Sequence, residues 1–132
     1  MQLSVAAANA RLDQIEAIIG GPTIRLFTGS PPANCAAAST GTLVSEMFGV
    51  TNWLEDASGG TKVKRPDIFI SNFSMVPGVI GHFRVYSGSD VCHIQGTVSL
   101  PGGGGDMTMS NVDVMPDQEL SVLAITINDN TL

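Results

Sequence analysis

The chain has 132 residues, 43% hydrophobic and 14% charged, a balance that excludes a disordered tail and allows a single core. Twelve acidic against six basic side chains give a formal net charge of −6, which excludes a nucleic-acid groove, because such a groove needs clustered Lys and Arg to neutralise phosphates. No stretch approaches the roughly 18 apolar residues of a membrane span, and the 15 glycines and seven prolines suit short strands joined by turns.

At the N-terminus, Val5, Ala8, Leu12, Ile15 and Ile19 recur at three- and four-residue spacing while Arg11, Asp13, Gln14 and Glu16 fall on other faces, which predicts an amphipathic helix over 4–19. Ser4 suits its N-cap, and Gly20, Gly21 and Pro22 stop it. Two placements stay open for the helix, on its own sheet or on a neighbouring subunit. The segment lacks a basic start followed by a continuous apolar run, so no signal peptide is expected.

Residues 23–28 read as a strand with Ile24 and Leu26 on one face. A long loop of low complexity follows over 29–41, either a contact arm or passive surface. A second strand is predicted over 42–50, and Trp53 just beyond it reads as a core lid with its indole N–H on a backbone acceptor. Residues 61–65 look like an edge strand guarded by Lys62, Lys64 and Arg65, and 68–73 begin another.

The hairpin over 81–100 is the most readable part, with Gly88 and Ser89 suiting a two-residue type II′ loop. That loop pairs Phe83 with Ile94 and Val85 with Cys92 on a dry face. On the polar face it pairs His82 with Gln95, Arg84 with His93 and Tyr86 with Val91.

Gly102 to Gly105 lack the following Lys and Ser or Thr of a phosphate cradle, so a sharp positive-φ excursion or a close backbone approach at an assembly contact is expected instead. Residues 107–115 are weakly strand-like. The last strand, 119–127, sets Leu120, Val122 and Ala124 against Leu123, Ile125 and Ile127, which predicts a central or covered position. One helix and about eight strands predict a mainly β fold, an antiparallel two-sheet sandwich of jelly-roll type. Residues 1–21 form the helical arm, and 22–132 the sandwich.

Catalytic constellations are not legible. His82 and His93 share the hairpin's polar face with Arg84, whose cation disfavours a metal, and no carboxylate or thiol joins them. No G-x-S-x-G elbow occurs, and the pairs Glu55 with Asp56 and Asp117 with Glu119 fall in predicted turns. No enzymatic activity, cofactor or metal is therefore expected. Cys35 and Cys92 stand in unrelated contexts and are expected as free thiols in a protein folded in a reducing cytoplasm.

The opening MQLSVAAANARLDQIEAIIG, PANCAAA at 32–38, GHFRVY at 81–86, CHIQGTV at 92–98 and GGGGDMT at 102–108 together resemble small virion proteins of tailed phages and prophages. The resemblance implies a structural protein of the particle, first a cement or decoration protein on the outer capsid surface. It would be made in the host cytoplasm, with the major capsid protein as partner and a dimer or trimer of its own. A tail or baseplate component is the alternative, and a glycan-binding module using Trp53 and Tyr86 the second. Candidate interface residues are Val5, Leu12, Ile15 and Ile19 on the helix, His82, Arg84, His93 and Gln95 on the hairpin, and Gly103 and Gly104 in the glycine tract.

Overall fold

The computed structural model describes residues 1–131. It is mainly β, with one helix, α1 (Val5–Ile19), followed by β1 (Thr23–Thr28), β2 (Leu43–Phe48), β3 (Thr61–Val63), β4 (Ser71–Phe73), β5 (Gly78–Tyr86), β6 (Cys92–Ser99), β7 (Met107–Met109), β8 (Asp113–Val114) and β9 (Glu119–Asn128). The strands connect in one curled sheet of order β2-β1-β5-β6-β7-β9-β3, with β4 also on β9 and β8 on β5. The curl brings the two ends of the sheet together. Met75 N–H donates to Val44 O at 2.7 Å, Asn72 Nδ2 donates to Glu46 O at 2.7 Å, and Ser45 Oγ donates to Phe73 O at 2.9 Å. Inside lies one core, with Ile24, Leu26, Val44, Met47, Trp53, Leu54, Phe83, Val85, Met107, Leu120 and Ile125 all at most 1% exposed.

Two features depart from the expected antiparallel two-sheet sandwich. The strands form one connected sheet, and that sheet is mixed, because β6 and β7 pair parallel at Val98 with Met107 and Ser99 with Thr108. The glycine tract makes so short a parallel return possible. Gly102 and Gly104 take φ of 85° and 84°, and Gly105, whose N–H donates to Ser99 Oγ at 2.9 Å, lies so close that a Cβ there would meet Ser99 N at 2.7 Å. The positive-φ excursion expected of this tract is what the chain does.

The hairpin register also differs from expectation. Asp90 adopts φ 61°, its N–H donates to Ser87 O, and Ser87 N–H donates to Val91 O. The connection is thus a turn at Gly88 and Ser89 followed by a left-handed residue, one residue longer than a type II′ loop. A bulge between Val85 and Tyr86 adds a second shift: Tyr86 pairs with Cys92, Val85 with Ile94 and Arg84 with Gln95, and His93 is the extra residue. The two shifts sum to an even step, so Phe83 and Val85 still face the core. Cys92 moves to the opposite face, beside Tyr86.

On β9, Leu120, Val122 and Ile125 are buried, whereas Leu123 is 49% exposed. The partner β7 shifts register between Thr108 and Met109. That irregularity turns Leu123 and Ala124 both outward and breaks the strict alternation expected there. The strand is internal to the sheet, as expected, with β7 on one side and β3 and β4 along the other.

Helix α1 has the predicted caps. Ser4 Oγ accepts from Ala7 N–H at 3.1 Å, and Gly20, at φ 66°, donates its N–H to Glu16 O. It packs on its own chain. Ala8, Leu12 and Ile19 are buried, Ile15 is half-buried against the core, and Val5 is 51% exposed. Polar contacts fix the same face. Lys62, 1% exposed, donates to Asp13 Oδ1 at 2.7 Å and lies 3.5 Å from Glu16 Oε1. Leu54 N–H donates to Glu16 Oε2 and Gly60 N–H to Asn9 Oδ1, and Arg11 holds Asp129 through two hydrogen bonds. Lys62 and Lys64 therefore point into the protein and do not guard an open edge.

Candidate functional site

The polar face of the hairpin is covered by the 29–41 loop of the same chain. Three cross-strand pairs set the floor: Arg25 lies opposite both Glu46 and Arg84, and Phe27 opposite His82. Arg25 sits 4.3 Å over the Tyr86 ring and pairs with Glu46 at 2.6 Å and Asp90 at 2.8 Å. Arg84, 2% exposed, turns its guanidinium to backbone carbonyls instead, donating to Cys35 O at 2.7 Å and Ala37 O at 3.0 Å. Gln95 Nε2 donates to Pro32 O at 2.7 Å. His82 Nδ1 lies 2.8 Å from Gly29 O, which fixes the tautomer with the proton on Nδ1, and the ring stacks on Phe27 at 5.1 Å. A carbonyl cannot match a carboxylate's charge, yet several of them aligned on one guanidinium offset part of its desolvation.

That cover is incompletely satisfied. Of four buried side-chain atoms without a hydrogen-bond partner among the described residues, His82 Nε2, Arg84 Nε and Gln95 Oε1 all lie beneath this loop, and the fourth is Trp53 Nε1. The expected interface row is therefore divided. His82 and Arg84 are taken up by the loop, Gln95 is half-buried against it, and the bulge leaves His93 exposed. Of the helix residues expected there, Leu12 and Ile19 are buried, Ile15 is half-buried and Val5 lies open, while Gly103 and Gly104 are at the surface.

A second surface was not singled out from the sequence. β3 and β4 follow one another along β9, and the chain between them bows outward at Pro66 to Phe69. The bow leaves a groove of about 420 Å³ lined by Lys64, Ile68, Phe69, Ser121 and Leu123 among others. Phe69 is 90% exposed on its rim, and Phe73 and Phe48, on β4 and the facing end of β2, are 55% and 63% exposed. The signal in the sequence was the run Ile68, Phe69, Ile70, which falls in the strand expected over 68–73.

Lys64 is the titratable group of this groove with a displaced pKa, lowered by burial and only partly restored by Asp67. Its ammonium is already used, donating to Arg65 O and Ile68 O at 2.9 and 2.7 Å, which makes it a tie across the bow and no free base. Trp53 is buried, as expected of a core lid, though its indole N–H finds no acceptor among the described residues, and its burial removes it from any glycan-stacking surface. Among the described residues no group of three or more His, Cys, Asp or Glu side chains converges as a metal site. Comparison of the chain with protein-family models, curated proteins and solved structures gives no match.

Proposed function

We propose that this protein is a structural virion protein of a tailed phage, a cement or decoration protein that binds the outer capsid surface and acts through shape-matched contacts without catalysis. The observation that carries the reading is the exposure of three phenylalanines on β4, just before it and at the end of β2. Phe69, Phe73 and Phe48 keep 90, 55 and 63% of their surface in water, an arrangement that costs solvation free energy unless a partner covers it. Two of these aromatic anchors bracket a strand whose inner neighbours hold it in place, which suits a hot spot on a rigid platform. The sequence resemblance supplies the class of partner, the major capsid protein, with this chain docking as a dimer or trimer.

A cement protein stabilises a shell by adding buried area across subunit seams. Purified protein added to undecorated heads is expected to bind stoichiometrically and to raise the temperature at which they open. Phe69→Asp, at a position almost free of intramolecular contact, is expected to fold normally and to lose at least tenfold in affinity. No association at micromolar concentration would overturn the reading, and density for the protein on tails in place of heads would move it to the tail or baseplate.

A further inference from the structure

Two cysteines 57 positions apart in sequence meet in the fold. The turn and bulge of the hairpin carry Cys92 to the face that Tyr86 and Arg84 share. The loop above brings Cys35 to the same place, its carbonyl held 2.7 Å from the Arg84 guanidinium. Cys35 and Cys92 are therefore neighbours around the Arg84–Tyr86 pair, Cys35 through its carbonyl on the guanidinium and Cys92 through its pairing with Tyr86, and both are half-buried free thiols. Pro32 O on Gln95 and Gly29 O on His82 pin the loop before Cys35, and Ala37 O on Arg84 pins it after.

We infer that Cys35 and Cys92 are a modification site: they form an intrachain disulfide that fastens the 29–41 loop onto β5 and β6 when the protein meets a small-molecule disulfide such as oxidised glutathione. The exchange balances. One cysteine thiolate attacks the small disulfide, releases one thiolate and leaves a mixed disulfide; the second cysteine then attacks the protein sulfur of that bond and expels the other. The two cysteines give up two electrons and two protons, and the oxidant leaves as two thiols.

The Cys35 thiol is a slow attacker at neutral pH. Burial and the neighbouring Cys92 push its thiol up to about 11, against a smaller opposing pull from Arg84. Reaction therefore speeds up as the pH rises from 7 to 9. The bond closes a long loop and joins a segment held mainly by polar contacts, so it restricts the unfolded chain strongly.

The test uses the wild-type protein with oxidised glutathione at pH 8, followed by non-reducing digestion and mass spectrometry. A linked peptide pair containing Cys35 and Cys92 in a monomer is expected, with melting raised by roughly 5 to 15 °C and returned to its starting value by dithiothreitol. Cys35→Ser and Cys92→Ser should each lose the shift. Persistent glutathione adducts, disulfide-linked dimers, or two free thiols after prolonged oxidation would overturn the inference, whatever the variants do.

Discussion

Helix α1 and the 29–41 loop are both laid over the sheet, and they are held by opposite means. The helix buries Ala8, Leu12 and Ile19 and adds an ionic clamp in which carboxylates of Asp13 and Glu16 meet the buried Lys62. The loop has few apolar side chains to bury and offers carbonyls to Arg84, Gln95 and His82, with three buried polar atoms beneath it left unpaired. A cover built on apolar contact plus charge belongs to the cooperative fold. One built on neutral carbonyls alone can lift without dismantling the core, since water replaces such bonds at little net cost.

Replacing Lys62 with Ala gives the largest effect expected from this contrast. It deletes a fully buried stem and leaves Glu16, whose side chain is 16% exposed, without its cation, at a cost of about 3 kcal/mol. Urea denaturation should show the loss with the single transition retained. Arg84→Ala is the matching change beneath the loop. It frees carbonyls that water can reach, for about 2 kcal/mol, and limited proteolysis should find new cleavage within 29–41 while the rest of the chain resists. Cleavage in α1 before the loop would reverse the comparison.

Acid gives the smallest effect. The hydrogen bond from Lys62, aided by the Ala57 N–H, holds the Asp13 carboxyl below its usual range, and hydrogen bonds from Thr131 and Arg11 do the same for Asp129. Their stabilisation is complete above the unfolded carboxylate range, near pH 4, and is lost as pH falls through the lower folded values. Resonances of α1 should therefore shift in amide spectra as pH is lowered below about 4, while the loop's contact with Gln95, a neutral amide with no titratable proton, keeps its own. The Gln95 side-chain resonance moving together with those of α1 would break the distinction.

What the sequence made legible was local. Helix α1 and its caps follow from three- and four-residue spacing and from Ser4 and Gly20, and β1 was read at its observed bounds because Thr23 to Thr28 lie between strong breakers. The hairpin register was missed because a left-handed Asp90 and a bulge at His93 are backbone choices that hydrophobic alternation does not encode. Lys62 was read as an edge guard because nothing in its own neighbourhood shows that α1 supplies two carboxylates to it. The cover over His82 and Arg84 was illegible for a deeper reason. It is made of main-chain carbonyls, which every sequence carries, so no residue type announces it. The meeting of Cys35 and Cys92 depends on both the missed register and the missed cover.

The meeting of β2 with the chain around β4 bears on how many copies can be crowded together. Val44 and Glu46 along the border strand already give their carbonyls to Met75 and Asn72 of the same molecule. Little bare backbone is left there for a neighbour to extend by strand addition. Molecules packed side by side at high density would have to recognise one another through side chains, which keeps a dense array of them from zipping into fibres.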